Sequence, residues 1–406
     1  MKKNILILLL VILFSFIISP SLGADDFFAV KSKVISDSQF KLGFLYFTPL
    51  LLVDNVGYTS NIYTYDAQDK PDWTGDLGLG LRASAIVANH LILQAEDLPI
   101  YSYYLNNENL RAWSNRLAAN AYSYIGPFNF KVGYARIELN QRPQLEFSRP
   151  YHYINSEWSA ETDIGRRAKL FLTAYVKFNK LAYDEDPYLG SYNLAQSLNH
   201  RQDVFGLRLN RRVFTSTIIY LNYEMSDYVF ESDSGRDAGT QTMSLGVEFP
   251  VIGILQGSLK IGLMQIDPKN PLFQRSQGLS GRGDVHISLF ERLRLNLFYA
   301  LGTNFSYGSN EIFYNNQSLG GSAEIYLTSF LKGGAAYDDG RLEYYSFLDL
   351  ALQRSDHLRN QRYYLAVPLF GGMSLGFAYN VYRLSSDALN LDYTRSFWGG
   401  FITYGF

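Results

Sequence analysis

From Arg292 to Tyr307 the chain alternates without interruption. Leu293, Leu295, Leu297, Tyr299, Leu301, Thr303, Phe305 and Tyr307 fall on one parity, and Arg292, Arg294, Asn296, Phe298, Ala300, Gly302, Asn304 and Ser306 on the other. Successive side chains of a strand point to opposite faces, so such a segment has one apolar face and one polar face. The same pattern runs through Asp76–Ala83, Lys169–Asn179, Thr242–Phe249, Gln256–Met264, Arg282–Leu289 and Gly372–Tyr382. No stretch shows helical periodicity. The chain is therefore all-β over most of its length.

The spacing of the turns narrows the choice further. Short turns recur about every 40 residues, near Ala88-Asn89-His90, Gly126-Pro127, Gly165-Arg166-Arg167, Asn210-Arg211-Arg212, Pro250–Gly253, Glu291-Arg292, Thr328-Ser329 and Gly371-Gly372. Between them lie longer polar connections such as 106–115, 140–151, 183–195, 231–237, 268–277 and 384–389. Tight turns at one end and longer loops at the other are the pattern of a transmembrane antiparallel up-and-down β-barrel, with short periplasmic turns and longer extracellular loops. In hydrocarbon every backbone amide needs a partner, and closing the sheet removes its edges. In water the same apolar faces would form a belt that soluble monomers rarely expose.

Eighteen strands are predicted, near 49–64, 74–87, 91–105, 115–125, 128–139, 153–165, 168–183, 195–210, 213–228, 238–250, 254–267, 278–290, 292–307, 310–327, 330–346, 355–369, 372–385 and 393–406, with 16 as the alternative count. The alternation slips by one in 91–105, 128–139 and 195–210, which suggests bulges there. The 32 Tyr and 28 Phe residues cluster at strand ends (Tyr101, Tyr103 and Tyr104, or Tyr344 and Tyr345), as interfacial girdles require.

Ahead of the barrel, Lys2 and Lys3 precede an apolar run from Ile5 to Ile18, then Pro20-Ser21-Leu22-Gly23. A charged start, an apolar stretch of about 15 residues and a small-residue site make residues 1–23 a cleavable secretory signal peptide. The run is short of the roughly 20 residues that span a bilayer. Residues 24–48 are then a short periplasmic segment and 49–406 the outer-membrane β-barrel. Without Lys2 and Lys3, 34 basic residues face 38 acidic ones, a net charge near −4 that offers no general attraction for nucleic acid. There is no cysteine, which excludes a lipid-anchored lipoprotein and any disulfide framework.

Parity assigns an interior. Asp76, Arg82, Arg116, Glu157, Glu161, Asp163, Lys169, Lys177, Glu224, Glu248, Lys260, Arg282, Asp284, Arg292, Arg294, Glu324, Arg362 and Arg395 should line a pore, ten basic and eight acidic. They either keep the interior wet and cross-paired or form the electrostatic lining of a channel. Tyr122, Tyr175 and Tyr220 also face inward, where they stack on solutes or fill volume. A barrel of 16–18 strands with no globular plug holds an aqueous channel. The loop from Asn140 to Tyr151, with Arg142, Arg149 and two prolines, has the length to fold inward.

Asp284, His286 and Ser288 share one strand face, and a Ser–His–carboxylate set raises hydrolase chemistry. A similar His-x-Ser occurs in the outer-membrane phospholipase family, where it faces lipid. Here parity turns the trio inward, and same-strand neighbours about 7 Å apart are poorly placed to share a proton. No catalytic residue, metal ligand set or cofactor is predicted, and Gly78-Leu79-Gly80-Leu81 lies in a strand with no helix after it.

The stretches "PLLLVDNVGYTSNIYTYD" (49–66) and "ESDSGRDAGTQTMSLGVEF" (231–249), with the hairpin repeat, resemble the outer-membrane β-barrel porins encoded with exopolysaccharide systems. That resemblance implies export of a polysaccharide and periplasmic export components as partners. General or substrate-selective uptake is the alternative function, with an outer-membrane hydrolase or a filled structural barrel further off. The stretch "SFWGGFITYGF" (396–406) places Trp398, Ile402, Tyr404 and Phe406 on alternate, lipid-facing positions. It reads as the closing strand, and its aromatic pattern resembles the signal recognised by the bacterial barrel-assembly machinery.

Overall fold

In the computed structural model the described residues are 26–62, 70–87, 90–141, 151–166, 168–184, 193–214, 217–252, 254–290, 292–306, 313–345, 352–369, 373–387 and 392–404. The predicted leader, the short turns at 88–89, 253, 291 and 371–372, most of the 140–151 loop and Phe406 lie outside them. Helix α1 (Asp26–Asp37) leads into a three-residue strand, β1 (Phe40–Leu42). The long strands follow in chain order. They are β2 (Leu45–Thr59), β3 (Asp72–Val87), β4 (Leu91–Tyr104), β5 (Ala112–Ile125), β6 (Phe128–Gln141), β7 (Tyr151–Ile164), β8 (Leu170–Tyr183), β9 (His200–Val213) and β10 (Thr217–Phe230). After them come β11 (Ala238–Ile252), β12 (Leu255–Pro268), β13 (Ser276–Leu289), β14 (Leu293–Phe305), β15 (Phe313–Thr328), β16 (Leu331–Tyr345), β17 (Leu352–Pro368), β18 (Ser374–Ser386) and β19 (Tyr393–Tyr404).

Each long strand pairs antiparallel with the next, and β19 pairs with β2 through Trp398↔Tyr58 and Ile402↔Val53. Eighteen strands thus close into a barrel, while β1 only pairs antiparallel with the first residues of β2. The seam is tight: a Cβ on Gly57 would sit 2.2 Å from the Trp398 carbonyl oxygen, so only glycine lets β2 and β19 meet there.

The alternation sorts as the sequence predicts. Leu77, Leu79 and Leu81 of β3 are 49, 62 and 46% exposed on the outside, whereas Thr74 and Ser84 of the same strand are buried on the inside. Leu245, Leu263, Leu279, Leu297, Leu319 and Leu365 continue the outer belt around the far wall. Tyr58, Trp73 and Trp398 meet on the outside near the long-loop end, with ring centroids 6.0–6.3 Å apart, and Tyr101 and Trp113 form a second pair at 5.1 Å. Amphipathic rings at that level form an interfacial girdle. A closed antiparallel barrel with an apolar exterior has its place in the outer membrane.

The three irregular segments have causes other than bulges. The pairings of β6 with both neighbours run without a register shift, and those recorded for β4 keep a constant register. Their alternation slips because charged side chains take outward positions: Asp97 on β4, and Arg136 and Glu138 on β6. In the third, a single turn of helix (Leu194–Leu198) occupies the beginning of the predicted strand, and the Asn193 side chain accepts from the Gln196 amide to cap it. The register shifts fall elsewhere, at Asp54/Gly57, Phe249/Ile252, Tyr326/Thr328, Tyr344/Tyr345 and Gly400/Ile402.

Helix α1 was not legible as a helix, although Phe27, Val30 and Val34 sit at i, i+3 and i+7. That face packs on Tyr46, Ile86, Ile92, Tyr122 and Tyr124, all on the inner parity of β2–β5 at the short-turn end. Phe27 is 2% exposed and Val34 4%. The segment before the barrel therefore turns back and covers part of the inner wall.

Candidate channel lining

Sixteen of the eighteen predicted lining residues lie within strands on the inner parity: Asp76, Arg82, Arg116, Glu157, Glu161, Asp163, Lys177, Glu224, Glu248, Lys260, Arg282, Asp284, Arg294, Glu324, Arg362 and Arg395. Lys169 and Arg292 do not. Both are exposed in the short turns just before β8 and β14, because β8 begins two residues and β14 one residue later than predicted. Asp163 is inward but 2% exposed: Arg166 of the adjacent turn caps one carboxylate oxygen, and the Thr173 hydroxyl donates to the other at 2.5 Å.

Inward charges that the sequence reading passed over include Glu96, Lys131, Arg208 and Lys332. The parity rule itself could have found them. Three fall in the strands where alternation slips, which is why they were missed.

Most of the inner acids are engaged. Arg82 Nε donates to Glu96 Oε2 at 2.7 Å, and Arg208 Nη1 to Glu248 Oε1 at 2.8 Å. Glu324 accepts from Lys332 Nζ at 3.0 Å and from the Tyr364 hydroxyl at 2.6 Å, with Arg294 3.7 Å away. Glu224 accepts from the Tyr175 hydroxyl at 2.7 Å.

Several cations have no such partner. Among the described residues Arg116, Lys177, Lys260 and Arg282 form no ion pair, and Arg362 instead lies over the Tyr364 and Phe401 rings at 5.9 and 5.8 Å. Lys260 and Arg282 are direct register partners on β12 and β13. Like charges placed opposite each other across an antiparallel pair are destabilising. This pair marks a patch of positive potential on the inner wall.

The inward aromatic rings are held flat. Tyr175 lies over Gly206, where an added Cβ would approach the ring to 2.0 Å, and Tyr220 lies over Gly246 in the same way, at 2.2 Å. Phe298 over Gly320, Tyr364 over Gly334 and Phe401 over Gly376 repeat the arrangement. A ring on a neighbouring glycine fills the wall without standing into the lumen. Tyr175 and Tyr220 are therefore wall fillers, not upright stacking platforms.

The Asp284–His286–Ser288 trio faces inward, but its recorded contacts do not include Ser288. His286 Nε2 lies 2.6 Å from Asp284, and Nδ1 lies 2.5 Å from Asn296 Oδ1, whose amide in turn donates to Ser322 at 3.0 Å. Both ring nitrogens are taken. Ser288 has no base, which removes the geometry that nucleophilic activation requires.

At the long-loop end contacts join strands that are not neighbours in the sheet. Tyr228 of β10 meets Phe305 of β14 at 5.0 Å, although three strands separate them in the sheet, and Arg236 donates to the Ser306 carbonyl. The outward positions of β19 hold Trp398, Ile402 and Tyr404, which face Tyr58, Val53 and Leu51 of β2.

No protein-family model matches the chain, and no curated protein matches it. Solved structures with a similar fold include Acinetobacter baumannii OccAB3, at 11% identity and a TM-score of 0.47 over 88% of this chain and 99% of that one. Pseudomonas aeruginosa OpdK with vanillate gives 11% and 0.47 over 88% and 97%. Pseudomonas aeruginosa OccK2 (OpdF) in complex with glucuronate gives 12% and 0.48 over 88% and 96%.

Proposed function

We propose that the protein is an outer-membrane diffusion channel that takes up small anionic solutes. The observation that carries this reading is the opposed Lys260–Arg282 pair, facing the lumen with neither cation in an ion pair among the described residues. Two cations kept side by side at a cost to the sheet form a site for an anionic solute. Arg116, Lys177 and Arg362 extend the positive lining. The paired acids elsewhere keep the wall hydrated without cancelling that field. Transport is passive and involves no chemical step.

Export of a polysaccharide, which the sequence resemblance implied, is the weaker reading. Helix α1 covers part of the inner wall at one end, and at the other Arg236 bonds the Ser306 carbonyl beyond β14, which narrows the path for a long hydrated chain.

Liposome swelling tests the uptake reading. Vesicles carrying the purified protein should swell faster in a small carboxylate than in a neutral sugar of equal size, and slowest in an organic cation. Equal rates for all three would contradict anion preference, and no swelling at all would contradict an open channel.

A further inference from the structure

Outward charges on β16 and β17 are paired, Asp339 with His357 and Arg359 and Arg341 with Glu343, but one on β4 is not. Asp97 is the seventh of the fourteen residues of β4, and its register partners are Leu81 on β3 and Leu117 on β5. Both leucines face outward, so Asp97 does too, exposed at mid-height of the apolar belt. Among the described residues no cation pairs with it. On the far wall the outward positions from Gly239 on β11 to Ile325 on β15 carry one charge, Asp267, which lies at the long-loop end. A carboxylate in hydrocarbon is expensive, and such residues are normally paired or turned away from lipid.

One strand further on, Arg136 of β6 is register partner to the same Leu117 and also faces outward. Its guanidinium, 45% exposed, uses one nitrogen on Glu138 at 3.0 Å and leaves donors to spare. Between the two charges the outward positions of β4 and β5 are small: Ala95 and Ala119 are register partners there, and Ala121 follows. The patch thus has a negative side, a low centre and a positive side, arranged about β5.

We infer that this patch is a two-fold interface with a second copy of the chain. A two-fold axis along the membrane normal through β5 would bring Asp97 of each copy against Arg136 of the other. An isologous contact makes the same patch serve both sides. The alanines let the two walls approach closely, and small residues take that role in membrane interfaces because lipid itself gives no hydrophobic drive to associate. The contact removes Asp97 from lipid and gives it a counter-ion. The copies share a wall while each keeps its own lumen, so the inference does not rest on the proposed function.

The chain has no cysteine, so an introduced thiol is unique. Ala119→Cys should give a disulfide-linked dimer when intact outer membranes are oxidised. Leu263→Cys, on the exposed far wall, should not. Adding Asp97→Arg to Ala119→Cys should reduce the dimer at least tenfold, and adding Arg136→Asp to that variant should restore it. Folding of each variant is checked separately by heat-modifiable migration of the intact barrel. Cross-linking of Ala119→Cys no stronger than Leu263→Cys would overturn the interface. Undiminished dimer in the folded Asp97→Arg variant, or failure of the charge swap to restore it, would overturn the Asp97–Arg136 contact.

Discussion

Two inner walls of the barrel use the same alternation to different ends. On β2–β4, inward positions hold Leu50, Leu52, Leu98 and Ile100, packed over Gly78 and Gly80, while α1 covers the wall below. On β12–β17 the inward positions hold Lys260, Arg282, Asp284, Arg294, Glu324, Lys332 and Arg362. The first wall is a small hydrophobic core inside a channel, with Leu98 1% and Leu50 2% exposed. The second is solvated and charged. An inward position is therefore not in itself a lining position. What covers it decides, and Leu50, Leu52, Leu98 and Ile100 are packed away from solutes while the charges of the second wall meet them.

The sharpest way to break the comparison is to charge the packed wall. Leu98→Asp loses about 1.5–3 kcal/mol of apolar burial and adds the larger penalty of an unpaired buried charge. It should lower barrel stability by more than about 3 kcal/mol, read as urea unfolding in detergent. If Leu98→Asp unfolds like the native protein, that wall is wet and the distinction fails. A smaller effect separates the glycines of the two walls. In Gly80→Ala the new Cβ meets the Asp97 carbonyl oxygen at 2.3 Å, which is backbone and has little room to move. In Gly334→Ala it meets the Tyr364 ring at 2.3 Å, and that ring can swing away at the expense of its bond to Glu324. Overpacking costs about 1–3 kcal/mol, so Gly80→Ala should fall at the upper end and Gly334→Ala at the lower. The reverse order would mean that the rings are held more rigidly than the strands. Removal of residues 26–37 should change stability least but raise single-channel conductance, because a helix about 10–12 Å across leaves the lumen. Unchanged conductance would mean that α1 lies clear of the conducting path.

The sequence carried the architecture because a barrel in lipid repeats one rule around its whole circumference. Alternation with turns of unequal length was enough for the strand number, the closure of β19 on β2 and the parity of most inward charges. It failed where a local interaction outweighs the period of two. Asp97, Arg136 and Glu138 read as slips because outward charge contradicts the rule, and α1 escaped because its apolar face is only three residues wide. Parity also cannot tell Leu50, which is buried beneath its neighbours, from Lys260, which is not. Nor does it show which charges are paired. Arg82 and Arg282 look alike in sequence, yet one is bonded to Glu96 and the other forms no ion pair among the described residues. Pairing depends on register between strands, and register emerges only when the sheet is assembled.

Ion selectivity in a planar bilayer tests the central claim most directly. Under a salt gradient the native channel should give a reversal potential on the anion-selective side. Lys260→Gln together with Arg282→Gln should move that potential toward zero, with the barrel still folded and conducting. Glu324→Gln, which releases Lys332 and Arg294, should move it the other way. A native channel that prefers cations, or a double variant with an unchanged reversal potential, would contradict the assignment of the β12–β13 pair as the anion site.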